Sequence, residues 1–369
     1  MRNALACLLL AGTLAACGVA QDNEQQVLQD TTEHVILPLH ASFVAATASL
    51  QETTARFCAS PGQSGYEETR DAWRHAMHAW QQLQVVRFGP VNIDNQAWRV
   101  QFWPDRNNLV GQKIESLLAS DTALSAAQLE ADSVVIQGLT AAEYLLFDQE
   151  HGALASYLSN AEVAPRRCNL LRLVAEHTAD VADGLANAWL PAAGNYAAVF
   201  TTPALDNPDF ADNASALSVL LDSVLAAVET AKNDKLADPL GLSNSAGIAQ
   251  PYAAEAWRSR YSLPLLVATV DGARQLYFAG EPGNTAFGID DLLRANDADE
   301  LADEIAAQFA LVRERTPQGL VLFDAVNDPV QAEQLLAYHT ALTRLAQLIK
   351  NEVPPVLGVT LGFNDKDGD

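Results

Sequence analysis

Two groupings of residues in this chain could do chemistry. The first centres on Glu143, the single charge between Asp132 and Asp148 in the stretch SVVIQGLTAAEYLLFD. A carboxylate among apolar, small and neutral residues has to be paired, hold a cation or take up a proton, because an uncompensated buried charge is too costly. Thr140 stands one helical turn before it on the same face, and Gly138 allows another backbone to come close. The second grouping is Glu67, Asp71, His75 and His78, spaced four, four and three apart. That spacing places nitrogen and oxygen donors on one helical face, as a metal stripe would need, although a single-helix stripe of this kind is more often a solvated surface. His34 and His40 stand alone. In the run from Tyr252 to Ser262, Arg258 and Arg260 lie among aromatic residues, which suits carboxylate pairing or anion capture.

The elements that must position these groups are helices. A helix as apolar on all sides as the Glu143 segment belongs in the middle of a bundle, and Ser125-x-x-Gln128 reads as the capping box that starts it. Trp73, Met77, Trp80, Leu83 and Arg87 recur at helical spacing over 66–88, a helix that Gly89 and Pro90 end. A long amphipathic pattern covers 24–57, with Pro38 predicting a kink or break inside it. Helices are also expected over 109–118, 165–190, 214–232, 262–280, 297–313 and 329–351. Residues 92–108, 201–212 and 234–250 read as irregular connections. No strand pattern competes. The expected fold is all-α, with two four-helix-bundle-like domains in series over 27–200 and 201–369. Trp73-Arg74 and Trp257-Arg258 fall at similar places in the two halves, a faint sign of duplication. The acid spacing of the tail GFNDKDGD does not fit a calcium loop.

Composition narrows the setting. Among 369 residues, 46 acids outweigh 22 Lys and Arg for a net charge of −24, which argues against nucleic-acid binding. Residues 1–17 read as a targeting segment: Arg2, a short apolar core, then Leu14-Ala15-Ala16-Cys17, which looks like a lipoprotein box. Cys17 would then carry the lipid that anchors the chain, with 18–26 as a polar tether; ordinary secretion with a chance cysteine is the other reading. Gly18 in place of aspartate points to the outer membrane, and hence to a periplasm-facing protein of the bacterial envelope. The remaining cysteines, Cys58 and Cys168, are favoured to form one disulfide in such an oxidising compartment. No companion motif supports cysteine catalysis.

Four stretches in order resemble one family. They are Trp80-Gln-Gln-Leu-Gln-Val-Val-Arg87-Phe88-Gly89-Pro90, Phe102-Trp103-Pro104-Asp105, Gly138-Leu-Thr-Ala-Ala-Glu143-Tyr-Leu-Leu-Phe, and the terminal GVTLGFNDKDGD. Together they resemble the imelysin family, also called peptidase M75, over nearly the whole mature chain. The resemblance implies two related helical bundles with a site in the cleft between them, an envelope location and an association with iron uptake. It also implies a metal set of one histidine and two carboxylates. Here Thr140 stands where the family has histidine, Gln84 stands where it tends to have glutamate, and Glu143 remains. Threonine and glutamine are weak neutral ligands, so a bound iron, zinc or calcium ion would rest on Glu143 alone, and no catalytic residue is assigned. The expected pocket is built from Gln84, Arg87, Trp103, Asp105, Thr140, Glu143 and Arg258. Arg87, Arg99, Arg106 and Arg258 are the candidate partners of Glu143. The same groups could instead satisfy one another at an interdomain seam. The favoured function is a non-catalytic binding lipoprotein linked to iron or metal uptake, with other envelope proteins as its partners. The alternatives are a metal-dependent peptidase of the M75 type and a partner-binding envelope module.

Overall fold

A computed structural model of the protein describes residues 14–158 and 162–362, and side chains from residue 23 onward. Among the described residues there are helices and connections and no strand. Helix α1 (Leu14–Thr31) contains residues 18–26, expected as a tether, and passes through a π-helical turn at Thr32–Ile36 into α2 (Leu37–Ala59). Pro38 lies in the first turn of α2. Proline cannot donate to the preceding turn, and the wider turn absorbs the lost bond, so the chain shifts its winding there without ending the helix. The described part of the chain stops at Gly362, whose N–H donates to Asp222 at 2.8 Å; the acidic tail beyond lies outside the described residues.

The first set of helices gathers around α5 (Gly138–Phe147), whose ten residues are all buried. It packs on α3 (Gln63–Leu83), α4 (Leu109–Ala119) and α6 (Val163–Trp189), while α2 packs on α3 and α6. Cys58 at the end of α2 is disulfide-bonded to Cys168 near the start of α6, with Cα atoms 5.5 Å apart. The second set is α7 (Asn213–Lys232), α8 (Ser262–Tyr277), α9 (Asp299–Glu314) and α10 (Pro329–Asn351), with α7 against α8 and α10, and α9 against α10. Helix α8 lies on α3 and joins the sets; at Gly272 a Cβ would stand 2.7 Å from the Gln82 carbonyl. Helix α1 crosses to pack on α7.

Three expectations need correcting because local signals competed with packing. Ser125 caps only a short helix, Ala126–Ala131, by accepting the Gln128 N–H at 3.3 Å. The chain then breaks, and α5 begins anew at Gly138 with φ +69°. A Cβ there would meet the carbonyl oxygens of Val100 and Arg99 at 2.2 and 2.4 Å, so only glycine fits. The connection expected over 234–250 starts later. Helix α7 continues into a π-helical turn, Asn233–Ala237, and a further turn, Asp238–Leu240, because Lys235, Leu236 and Ala237 are drawn inside. Helix α3 also ends five residues early, at Leu83; Val85, Val86 and Phe88 stay buried beyond it without being helical.

His40 on α2 illustrates the cost of a polar group in this core. It is buried beside Trp189, ring centroids 5.8 Å apart, and neither ring nitrogen has a hydrogen-bond partner among the described residues. Burial pushes its pKa down from 6.5 to about 4. The unfolded chain takes up this proton as pH falls through 6.5, whereas the folded chain resists until about pH 4, so stability is lost across that window. About 3 kcal/mol should disappear between pH 7 and pH 4 on this account. Urea unfolding of His40→Leu beside the wild type checks it: the variant should lack that part of the pH slope, and equal slopes would refute the assignment.

Candidate functional site

Helices α3 and α5, the segment 101–106 and the segment 252–258 enclose a cavity of about 140 Å³. Thr140 and Glu143 of α5 face it together with Trp73 and Met77 of α3. The Trp73 indole is fixed by donating to the Leu139 carbonyl at 2.8 Å. Trp103, Asp105 and Arg106 form a second wall. Asp105 accepts the N–H groups of Leu109 and Val110 at 2.7 and 3.1 Å, so it caps α4 while lining the cavity. Tyr252, Trp257 and Arg258 form the third wall, and Asp234 and Asp238 complete the lining. Trp73 and Trp257, the two members of the possible internal repeat, meet at this one cavity.

Glu143 is 3% exposed. The Ser259 N–H donates to its Oε1 at 2.8 Å. Ala256 and Arg260, on either side of that donor, both have positive φ, 49° and 58°. Non-glycine residues rarely hold this conformation, and here it folds the segment tightly around the donor facing Glu143. Burial raises the Glu143 pKa; the positive charge of Arg258 and the hydrogen bonds from Ser259 oppose that, and nearby Glu255 adds to it.

The expected arginine partner is absent. Among the described residues no ion pair within 4 Å reaches Glu143. Arg258 turns instead to Asp148, Nε to Oδ2 3.3 Å, donates to Asn108, and lies 4.3 Å over the Trp257 ring. Arg87 donates to the Thr230 hydroxyl at 2.8 Å, and Arg106 reaches Asp238 at 3.4 Å. Of the seven residues expected to form the pocket, Trp103, Asp105, Thr140, Glu143 and Arg258 line the cavity. Gln84 and Arg87 do not, because the end of α3 carries them past it towards α7 and α8.

Gln84 donates to Gln81, at the edge of a buried polar hub that the sequence does not announce. Lys235, 2% exposed, pairs with Glu255, 1% exposed, at 3.0 Å. Lys235 also donates to the Thr269 hydroxyl at 2.8 Å and to Gln81. Gln101 and Gln81 donate to Glu255 at 2.7 and 3.0 Å, and the Trp80 indole donates to Gln101 at 2.8 Å. The hub thus ties α3 to the π turn after α7 and to α8. Burial lowers the Lys235 pKa, against the pull of Glu255.

The residues present do not fit a metal at the Glu143 locus. Thr140 brings a hydroxyl where nitrogen is needed, Gln84 lies elsewhere, and the Glu143 carboxyl is engaged by Ser259. Among the described residues no three His, Cys, Asp or Glu side chains gather as a ligand set. The stripe on α3 follows the bland reading: Glu67 accepts from Gln63 and Arg70, at 3.0 and 3.3 Å, and Asp71 pairs with Arg74.

Comparison with known proteins agrees with this architecture. The family model described as imelysin, peptidase M75, matches residues 36–349. Iron-regulated protein A of Synechococcus elongatus is 22% identical over 365 residues, covering 96% of this chain and 92% of that protein. The crystal structure of an imelysin-like protein from Psychrobacter arcticum superposes with a TM-score of 0.74 at 22% identity, covering 93% of this chain and 98% of that one. A Parabacteroides distasonis structure, described as an iron-regulated protein A precursor, gives the same TM-score at 18% identity, covering 91% of this chain and 94% of that one.

Proposed function

The chain belongs to the imelysin family, and from that premise we propose that it is a non-catalytic binding protein of the cell envelope. It works in iron-related physiology and takes a small ligand in the cavity around Glu143. One observation carries this reading. A nearly fully buried carboxyl group lines an aromatic-walled cavity and has no ion pair there, an arrangement that costs stability and suits a ligand site. The relative named iron-regulated protein A supports the physiological setting. Anchoring through a lipid on Cys17, an outer-membrane position and envelope proteins as partners belong to the same proposal; the Cys17 side chain lies outside the described residues.

The peptidase reading suggested by the family's designation finds less support. A metallopeptidase needs a cation to polarise a carbonyl or activate water, and the ligand positions here hold Thr140 and Gln84.

The test is a thermal-shift screen of the mature chain against iron, zinc and calcium ions, amines, amino acids, organic acids and sugars. At least one compound is expected to raise Tm in the wild type and to lose that effect in Glu143→Gln. If nothing at millimolar concentration moves Tm, or if the variant responds equally, the binding role is wrong. Thr140→His, tested with zinc on a peptide library, is expected to stay inert.

A further inference from the structure

The cavity around Glu143 has an uneven charge balance. Asp105, Glu143, Asp234 and Asp238 bring carboxyl groups to its lining, and Arg106 and Arg258 bring the guanidinium groups. Both arginines are already engaged. Arg258 pairs with Asp148, which is not part of the lining, and Arg106 pairs with Asp238 at the rim. An incoming anion would therefore find both guanidinium groups already paired and the Glu143 carboxyl, which has no ion pair, facing it. The whole chain, at a net −24, favours cations in the same sense.

The walls add a second preference. Trp73, Trp103 and Tyr252 line the same cavity, and the faces of such rings attract positive charge. The neighbouring chain already uses this attraction: Arg258 lies 4.3 Å over Trp257, and Lys235 Nζ lies 5.9 Å from the Trp103 ring centroid. The carboxyl groups are spread around the cavity and do not converge as a metal set. Spread carboxylates with aromatic walls match a cation whose charge is diffuse and whose body is apolar.

Resting on the binding role proposed above, we infer that the ligand is a small organic cation of the alkylammonium class, its charged head against Glu143 and the aromatic walls. Glu143 supplies the buried counter-charge, and the Ser259 N–H holds that carboxyl in place.

Calorimetric titration of the mature chain with choline, with putrescine and with the uncharged tert-butyl isostere of choline tests this. Choline or putrescine should bind saturably, the first indicating a quaternary and the second a primary ammonium head. The isostere should bind at least about tenfold more weakly. Glu143→Gln and Trp103→Leu should each weaken the cation by about tenfold or more. Trp103 is only half-buried, so its variant keeps the test open should Glu143→Gln fold poorly. No saturable binding of either cation, or equal affinity for the isostere, overturns the inference. If an acid, sugar or metal ion binds instead and Glu143→Gln abolishes it, the alkylammonium assignment falls while the binding role stands. If nothing binds, both fall.

Discussion

Replacing Glu255 by alanine should cost the fold about 3–5 kcal/mol, the penalty typical of breaking a fully buried ion pair from one side. Lys235 would keep its ammonium group inside with only neutral acceptors, Gln81 and Thr269, around it. Gln81 and Gln101 would each lose the carboxylate they now donate to. The pair itself contributes far less than this penalty suggests, because forming it required two desolvations. The double variant Lys235→Met, Glu255→Gln should therefore recover most of the loss. Urea unfolding of Glu255→Ala and of the double variant compares the two losses. A loss below about 1 kcal/mol in Glu255→Ala would mean that water reaches the hub and that the pair is not truly buried.

Reduction of the Cys58–Cys168 bond should be the other large effect. The bond closes a loop with a sequence separation of 110. Releasing a loop of that order frees the unfolded chain by up to about 4.7 kcal/mol at room temperature, and native-state relaxation usually leaves less. Guanidinium unfolding with and without dithiothreitol should show the midpoint falling, and Cys58→Ser should reproduce the reduced protein without reductant. Unchanged midpoints would show that the oxidised bond adds nothing to what helix packing between α2 and α6 already holds.

The sequence carried more of the site than of its surroundings. Glu143 was conspicuous because it is one charge in an otherwise uncharged helix, and Gly138 because glycine at a helix start suggests close approach; the Arg99 and Val100 carbonyls are what approach it. Trp103 and Asp105 were legible through their motif and Arg258 through its aromatic neighbours, and all three line the cavity. The partner of Glu143 was not legible. A backbone N–H such as that of Ser259 is supplied by every residue type but proline, and only the folded path of the segment around it selects this one. Gln84 and Arg87 were misplaced for a related reason: helical spacing suggested that α3 would continue to 88, but the chain leaves the helix after Leu83. Lys235 lay in a stretch whose Gly, Ser and Asn content reads as loop, and no local pattern marks a lysine that will be buried by a carboxylate twenty residues on.

The glycine at the start of α5 also determines how this cavity can diversify. At position 138 two carbonyl oxygens occupy the space of any side chain, so variants of this protein must keep glycine there. Two residues later Thr140 lines the cavity. The helix thus has a fixed hinge point beside a free dial: changes of ligand preference can accumulate at 140 while the frame that aims Glu143 stays untouched. A substitution library built on this protein should be narrow at the first position and wide at the second.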